Sequence, residues 1–351
     1  MKYRLGDLVQ IKYGKDHKKL NAGNIPVYGT GGLMRRVNDF IYDGDSVLIP
    51  RKGSLNNVMY VTSKFWTVDT MFWTKIDKNK ILPKYLYYCL SKIDLSTFNV
   101  GSAVPSLTIK ILNEITLEVP SLQIQNEIIS KIKPIDDKIR LNNKINDNLV
   151  KLVDSYFINF LNNVTTVEKT IEDIGTVVGG GTPSKKIADY WNGDIAWVTP
   201  KDLSQHPLIF TSSGENYITG LGLAKGSAKL LPTNTILFSS RAPIGYISIA
   251  KNNLATNQGF KSVIPNKEYS FQFIYELLKH ETAAIKNEAN GSTFKEISGK
   301  KLKQHIINIP NSEDTSKFNE ITKPIFKQLR KLEEENEELL AIKKGLLEKY
   351  F

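Results

Sequence analysis

Apolar residues recur with alternating steps of four and three toward residue 350, and this spacing predicts a long helix with an apolar seam. The seam positions are Ile325, Leu329, Leu332, Asn336, Leu339, Lys343, Leu346 and Tyr350. Subtracting 190 from each number (325 − 190 = 135) gives a second seam in phase, at Ile135, Ile139, Asn142, Asn146, Leu149, Val153, Tyr156 and Phe160. Pro134 and Pro324 precede the two seams. The chain is therefore predicted to be a duplication in which each copy ends in a long helix.

Shorter matches extend the repeat over the rest of each copy. The matched ranges are 5–14 with 171–180, 23–28 with 193–198, 45–53 with 234–242, and 68–72 with 256–260. The first pair reads as a short turn, a strand and a glycine in both copies. The offset grows from 166 (171 − 5) to 190 (291 − 101), so the second copy contains net insertions. Most of them fall between Thr182 and Pro232, and we expect them in surface loops.

Short β-branched and aromatic runs between Gly, Asn and Asp turns predict strands, and helices are predicted at 83–91 and 270–287. A glycine loop follows each helix, at 101–107 and at 291–297. The predicted fold class is α+β: two repeated α/β domains joined by two long antiparallel coiled-coil helices, with a pseudo-twofold axis. The predicted boundaries are 1–120 for the first domain, 121–162 for the first helix with a kink or restart at Pro134, 163–310 for the second domain, and 311–351 for the second helix with a kink or restart at Pro324.

Polar residues within and beside the seam carry two further predictions. Asn146 and Asn336 occupy matched seam positions, where a buried Asn weakens a coiled coil but fixes its register. The alternative is that the helices are solvated at that point. The acidic residues 333–335, with Glu337 and Glu338, are interpreted as an outer helix face available to a partner protein.

Composition narrows the class of protein. The formal net charge is +11 over 351 residues, which favours a polyanionic partner, although general solubility charge is an alternative. The single cysteine, Cys89, excludes an internal disulfide and lies in an apolar run, so we interpret it as a buried thiol. No run of 18 apolar residues exists and Met1 is not followed by an apolar signal segment. We therefore expect no membrane association and a cytoplasmic location.

Enzyme motifs are incomplete in this sequence. The run 179–186 resembles a phosphate loop but lacks the glycine before its lysine, and 28–32 fails the dinucleotide fingerprint because residue 34 is Met34. The histidines have no metal-ligand spacing; they are His17, His206, His280 and His305. The sequence also contains no Asn-Pro-Pro-Tyr or Asp-Pro-Pro-Tyr of an amino-methyltransferase and no nuclease-like carboxylate cluster. We therefore predict no catalytic centre and no metal site.

Basic residues beside Gly and Ser recur in both copies, and these types suit contacts with DNA phosphates and base edges. In the first copy we assign Lys12, Lys15, Lys18 and Lys19 to one loop, and Arg35, Arg36, Arg51, Lys52 and Ser54 to turns. In the second copy the candidates are Thr182, Ser184, Lys185, Lys186, Lys201, Lys225 and Arg241. The alternative for each is a solvated surface residue. Arg51 and Arg241 are interpreted as matched, so that one of their roles is structural.

The duplication, the Gly-Gly-Gly-Thr-Pro-Ser run at 179–184 followed by 190–198, and the segment 240–246 together resemble the specificity (S) subunit of type I restriction-modification systems. The resemblance covers nearly the whole chain. It implies that each globular part is a target recognition domain reading one half of a split sequence in double-stranded DNA. It also implies that the helices form the conserved spacer region and dock methyltransferase subunits, two per S subunit, with restriction (motor) subunits added for cleavage.

The resemblance further implies that S-adenosylmethionine binds the methyltransferase subunits, so no cofactor is expected in this chain. The first domain begins almost at Met1, which leaves little helical sequence ahead of it. Two other classes of function are weighed against the DNA-reading subunit. One is a fused restriction-methylation enzyme, which the missing motifs oppose. The other is a coiled-coil scaffold whose basic charge is incidental.

Overall fold

The computed structural model describes residues 1–289 and 295–351. The chain divides into two compact units, unit 1 (Met1–Ile139 and Glu338–Phe351) and unit 2 (Arg140–Glu337). The glycine loop predicted in the second copy has residues 291–294 outside the described residues.

Both copies are built from short strands. Those of the first copy are β1 (Lys2–Arg4), β2 (Val9–Tyr13), β3 (Ala22–Gly29), β4 (Gly32–Val37), β5 (Ser46–Pro50), β6 (Met59–Val61), β7 (Trp66–Thr67), β8 (Met71–Ile76) and β9 (Thr116–Glu118). Those of the second copy are β10 (Thr166–Thr170), β11 (Gly175–Gly179), β12 (Trp191–Val198), β13 (Phe210–Thr211), β14 (Asn216–Ile218), β15 (Leu230–Leu231), β16 (Ile236–Ser240), β17 (Ile244–Ala250), β18 (Leu254–Thr256), β19 (Lys261–Pro265) and β20 (Ile306–Pro310).

The helices confirm the predicted mixture of helix and strand. The α-helices are α1 (Pro83–Lys92), α2 (Ile109–Glu114), α3 (Leu122–Asn162), α4 (Ile171–Ile174), α5 (Pro200–Gln205), α6 (Gly220–Lys225), α7 (Phe271–Glu288), α8 (Gly299–Lys303) and α9 (Ser312–Tyr350). Short 3-10 helices span Leu5–Asp7, Leu95–Phe98 and Ala188–Tyr190. Side-chain caps explain several starts: Thr108 caps α2, Ser270 caps α7 and Ser298 caps α8.

Unit 1 contains one fully antiparallel sheet and one mixed sheet. One runs in the order β2-β8-β5-β6 and is antiparallel throughout, and a second runs β4-β3-β7 with β3 and β7 parallel. The strands β1 and β9 form a separate antiparallel pair. Leu48 on β5 and Phe72 on β8 are fully buried, which is consistent with the apolar runs of these two strands.

Unit 2 repeats this arrangement with additions. Its sheets run β11-β19-β16-β17-β13 and β14-β12-β18-β15, and β10 pairs with β20. Between Thr182 and Pro232 the chain forms α5, β13, β14 and α6, and Phe210 and Ile218 within this insertion are buried. The prediction that the insertion lies in surface loops is therefore wrong in part, because its apolar residues complete two sheets.

The two long helices each pass through a proline without a break. Pro134 lies inside α3 and Pro324 lies inside α9, so neither helix restarts there. Each helix is anchored around its proline: Ile132 is fully buried in unit 1, and Phe326 is 1% exposed in unit 2. This packing offsets the backbone hydrogen bond that each proline removes.

Within each unit, a segment of α3 packs antiparallel to a segment of α9. In unit 1, Lys131 Nζ lies 3.1 Å from the hydroxyl of Tyr350, and the Asp136 carboxylate lies 2.7 Å from Lys343 Nζ. The apolar side of Glu338–Phe351, including Leu346 and Phe351, packs on the core of unit 1. The core of unit 1 is therefore completed by residues that are distant in sequence.

In unit 2 a polar contact crosses the seam at Asn336 but does not involve Asn146, its equivalent in the repeat. Asn142, which is fully buried, donates from Nδ2 to Asn336 Oδ1 at 3.0 Å, and Asn336 donates to Asn143 at 2.8 Å. Further along the same pair, the rings of Tyr156 and Phe318 stack with centroids 5.5 Å apart. The partners of Asn336 across the seam are thus Asn142 and Asn143, and not Asn146.

The acidic run on α9 is not a free outer face. The Glu333 carboxylate is 6% exposed and accepts the backbone N–H groups of Ile209 (2.9 Å) and Phe210 (3.0 Å). Burial raises the pKa of Glu333 to about 7. Lys251 forms ion pairs with Glu334 (3.5 Å) and Glu337 (2.9 Å). The interpretation of this run as a surface available to a partner is wrong for Glu333, because two backbone amides of the insertion require its carboxylate.

Candidate nucleic-acid interface

A basic loop leaves β2 in unit 1, and its backbone is fixed by neighbouring side chains. The Trp66 indole N–H donates to the Lys15 carbonyl at 2.9 Å. The Arg35 guanidinium donates to the carbonyl of Leu20 at 2.9 Å and to that of His17. Lys15, together with Lys18 and Lys19, is exposed. The loop therefore holds these lysines on a backbone that is ordered before any ligand binds.

The corresponding loop of unit 2 leaves β11 and is also fixed by tryptophan. The Trp197 indole N–H donates to the Gly181 carbonyl at 2.9 Å, and that of Trp191 donates to the Ser184 carbonyl at 3.1 Å. A Cβ atom on Gly181 would lie 2.2 Å from the Ser227 carbonyl oxygen, so this close approach requires glycine. Ser184 is exposed, as are the two lysines that follow it, Lys185 and Lys186.

A second turn follows β5 in unit 1 at the same edge of the sheet. The Arg51 N–H donates to Thr70, which lies just before β8, and the Arg51 carbonyl accepts from Leu107 at 2.9 Å. Gly53 has a φ of +86°, a conformation that glycine adopts at low cost. The Arg51 guanidinium donates to the Asp69 carbonyl at 3.0 Å and lies over the ring of Tyr13, so its role in the turn is structural.

The turn after β16 in unit 2 has the same backbone pattern. The Ser240 N–H donates to the Gly259 carbonyl at 2.7 Å, and the Ser240 carbonyl accepts from Ile297 at 3.0 Å. Ala242 has a φ of +56°. Ser240 is therefore the counterpart of Arg51, Arg241 is the counterpart of Lys52, and Ala242 is the counterpart of Gly53.

The interpretation of Arg51 and Arg241 as matched residues is accordingly wrong by one position. The bridges confirm the shift: Lys52 pairs across the sheet edge with Ser106, and Arg241 pairs with Glu296. Each copy thus presents one cation directly before a residue in the left-handed conformation.

Several predicted site residues lie elsewhere than expected. Lys12 is within β2, and Arg35 and Arg36 are within β4, so none of the three is in a turn or loop. The Arg36 guanidinium donates to the Asn24 carbonyl at 2.7 Å. Arg35 and Arg36 thus both donate to backbone carbonyl oxygens that are not used within the sheet. Ser54 is exposed in the turn after Gly53.

The remaining candidates of unit 2 surround its two basic turns. Thr182 donates from Oγ1 to Gln258, which fixes the start of the glycine loop. Lys225 is the last residue of α6, next to Gly226, whose added Cβ would lie 3.2 Å from Pro183 of that loop. Lys201 on α5 forms an ion pair with Glu215 at 2.8 Å, and the hydrogen bond to that carboxylate raises the pKa of Lys201.

Two charged residues outside the predicted set, Glu296 and Lys261, lie close to Arg241 or to its ion-pair partner. Glu296 lies 3.4 Å from Arg241 Nη1 and 3.8 Å from Lys261 Nζ. Burial lowers the pKa of Lys261, and the charge of Arg241 acts in the same direction against the attraction of Glu296. The tryptophans that fix the loops were also missed, because their indole N–H partners are carbonyls that sequence does not identify.

Cavities open beside these turns. In unit 1, one of about 750 Å³ is lined by residues that include Lys18, Thr30, Asp69 and Thr70. In unit 2, one of about 410 Å³ is lined by residues that include Lys201, Ser204, Arg241, Tyr246 and Asn257. Hydroxyl, amide and cationic groups around a concave surface can donate and accept the hydrogen bonds that base edges and phosphates require.

Among residues 1–289 and 295–351, none of the helices is long and apolar enough to cross a membrane. No group of three or more His, Cys, Asp or Glu side chains in that part of the chain is arranged to hold a metal ion.

Comparison with known families decides what this arrangement is. The family described as type I restriction modification DNA specificity domain matches residues 1–151 and 163–344. The chain belongs to this family. The two matched segments follow the two copies of the repeat, and the predicted resemblance is therefore confirmed.

Individual relatives agree with the family. The chain is similar to the MjaIX type I restriction enzyme specificity subunit of Methanocaldococcus jannaschii, with 42% identity over 185 residues that cover 52% of this chain and 43% of that protein. It is similar to the EcoR124I/EcoR124II specificity subunit of Escherichia coli, with 30% identity over 267 residues, 71% of this chain and 64% of that protein. The match thus spans less than two thirds of each of these relatives.

A solved structure of low sequence identity has the same fold. The S subunit of the type I restriction-modification system from M. genitalium superposes with a TM-score of 0.63 at 16% identity, covering 100% of this chain and 96% of that chain. The predicted α+β fold with repeated domains and long helices is confirmed by this likeness.

Proposed function

We propose that this chain is a non-catalytic DNA-reading subunit of a type I restriction-modification complex, in which each unit recognises one half of a split DNA sequence. The observation that carries the proposal is the recurrence of the same two basic turns at the same sheet edge in both units. A phosphate-binding surface alone would not require the strand, turn and anchor pattern to be repeated twice.

The charge of the chain supports a DNA partner. With a net charge of +11 and exposed lysines in both tryptophan-fixed loops, phosphate contacts would release counterions, so affinity should fall steeply as salt rises. A gel shift with mixed genomic DNA at low and high salt tests this, with and without a methyltransferase subunit. Binding that becomes sequence-selective with that subunit supports the proposal. An absence of binding at low salt in both samples would support the coiled-coil scaffold instead.

The partners form part of the proposal. Methyltransferase subunits, two per chain, would dock on α3 and α9, and restriction subunits would join them when the DNA is to be cleaved. S-adenosylmethionine would bind the methyltransferase subunits, which supply the methyl transfer. Residues of this chain would bind DNA, select its sequence and position it.

Methylation mapping tests the proposed function directly. Cells that express this chain with its methyltransferase subunit should carry methylated sites made of two short blocks separated by an unread gap. Cells that express the methyltransferase subunit alone are the control and should lack these sites. Methylation at a single continuous block would contradict the proposal.

The gap itself should depend on helix length. Seven residues are about two helical turns and about 10 Å, or about three base pairs of DNA. Inserting about seven helix-forming residues between Ile139 and Arg140, and the same number between Glu337 and Glu338, should lengthen the gap by about that amount. The bases read should stay the same. A changed sequence with an unchanged gap would show that the helices do not set the spacing.

A further inference from the structure

The turn after β16 presents an arginine next to a carboxylate, and this pair distinguishes unit 2 from unit 1. Building on the proposed function, we propose that Arg241 reads the edge of a guanine in the half-site recognised by unit 2, and that Glu296 is the positioning residue that orients its guanidinium. The same location in unit 1 has Lys52 facing Ser106, with no carboxylate at the bridge.

The backbone around Arg241 is held in one conformation. Ser240 on its N-terminal side is bonded to both Gly259 and Ile297, at 2.7 and 3.0 Å. Ala242 on its C-terminal side is exposed and has a φ of +56°, a region that residues with a side chain rarely adopt. Such strain persists where the surrounding contacts determine it, and it concentrates at functional sites. Arg241 is therefore displayed from a rigid turn.

The side chain of Arg241 is oriented and still accessible. Its Nη1 lies 3.4 Å from Glu296, while 41% of the side chain remains exposed. A guanidinium has five N–H donors, so one contact with a carboxylate leaves donors for a ligand. The cavities of about 410 Å³ and about 740 Å³ are both lined by Arg241 and Ala242. The turn thus separates two concave surfaces, and a base edge can approach it.

The neighbouring carboxylate favours a base over a phosphate as the ligand. Glu296 offsets the charge of Arg241 and so weakens its attraction for a phosphate anion, whereas the O6 and N7 atoms of guanine are neutral acceptors that match the fork of a guanidinium. Lys261 Nζ lies 3.8 Å from the other carboxylate oxygen of Glu296 and helps to hold that side chain in place. Lys52 of unit 1 has no such neighbour at its bridge and is a point charge, which suits a phosphate contact.

The experiment maps methylation in cells that carry the complete complex with Arg241→Lys or Arg241→Gln. Discrimination for guanine at one position of one half-site should fall about tenfold or more, because a bidentate arginine contact is lost. Glu296→Gln should relax the same position to a smaller extent. The other half-site should be unchanged in every variant, and its retention shows that the complex has folded and assembled.

Lys286→Gln is the matched control, since Lys286 is exposed and lines the same 740 Å³ cavity as Arg241. It should weaken binding to all sequences equally and leave every base preference intact. If Arg241→Lys behaves like this control, or changes no base preference at all, Arg241 does not read a base and the inference is overturned while the proposed function stands. If the unaltered complex gives no two-part site, the proposed function itself fails.

Discussion

The amide of Asn142 donates to the side-chain oxygen of Asn336 at 3.0 Å, between two facing helix segments of unit 2. Asn142 is fully buried, and its own side-chain oxygen has no hydrogen-bond partner among the described residues. The contact therefore specifies which residues face each other while leaving one buried acceptor unsatisfied.

Replacing these residues separately and together should measure how strongly the two side chains stabilise each other. Asn336→Leu removes one of the two acceptors of the buried Asn142 amide, the other being Glu335, and should lower the free energy of unfolding by about 1 kcal/mol. The double variant with Asn142→Leu should be less destabilised than the sum of the single variants, since the amide of Asn142 and the Asn336 oxygen that accepts from it are removed together. Urea denaturation gives the free energy of unfolding for the unaltered protein, the two single variants and the double variant. Strict additivity would mean that the two amides do not interact.

Stability of unit 2 should fall as pH rises from about 4.5 to about 8. Burial is the main cause that raises the pKa of Glu276 from its ordinary value of 4.5 to about 8; nearby Lys279 opposes the shift and Asp154 adds to it. The folded state therefore keeps a proton that the unfolded state releases, so the contribution is fully present below about pH 4.5 and is lost as pH approaches 8. This one group lowers the free energy of unfolding by at most about 1.4 kcal/mol per pH unit.

Glu276→Gln removes this group at nearly constant volume and provides the test. The variant should match the unaltered protein near pH 4.5 and exceed it in stability near pH 8, as measured by urea denaturation at each pH. The stability of the Glu276→Gln variant should still fall somewhat with rising pH, because burial also raises the pKa of Glu333, to about 7. Glu320→Gln, at an exposed position of α9, should leave the profile unchanged. Parallel profiles for Glu276→Gln and the unaltered protein would contradict the assignment.

The contact of Phe351 with α1 should contribute measurably to the stability of unit 1. Its ring lies 5.0 Å from that of Tyr85 and 6.2 Å from that of Tyr88, between ring centroids. Phe351→Ala should cost about 2 kcal/mol, below the range for a fully buried phenylalanine because the ring is half-buried. Hydrogen exchange should accelerate in α1 and remain unchanged in unit 2. Lys344→Ala, an exposed position in the same segment, is the control.

The tryptophan anchors should affect DNA affinity without touching DNA. Trp66→Phe keeps most of the apolar volume but removes the N–H that holds the Lys15 carbonyl, so the basic loop would have to be ordered on binding. Affinity should fall about threefold to tenfold, equivalent to one hydrogen bond. Trp73→Phe is a suitable comparison, because the carbonyl it contacts belongs to Tyr13, which the sheet holds in place. Equal effects of the two substitutions would argue against a role for loop order.

Sequence was sufficient to predict the duplication, because strands, turns and seams recur in the same order in both copies. It did not predict which helix residues face each other. Asn146 and Asn336 are equivalent under the repeat, but in an antiparallel pair the numbers of facing residues have a nearly constant sum, as in 142 + 336 = 478 and 156 + 318 = 474. Equivalent positions are therefore not the positions in contact.

The misassigned residues have a common physical reason. The sequence predicts an outer face for Glu333 because its backbone partners, Ile209 and Phe210, belong to an insertion that has no counterpart in the first copy. The sequence predicts a turn for Arg35 and Arg36, but from strand β4 their guanidinium groups reach the carbonyls of Leu20 in the preceding loop and of Asn24 in β3. Such partners are set by tertiary contacts, which local sequence patterns do not contain.

Unit 1 is assembled from Met1–Ile139 and Glu338–Phe351, with all of unit 2 between them in the sequence. On the ribosome, the first segment emerges early but has no Leu346 or Phe351 to cover its core until residues 140–337 have been made. The unit that begins synthesis first is therefore the one that finishes folding last, and its incomplete core must stay soluble while its neighbour is being translated.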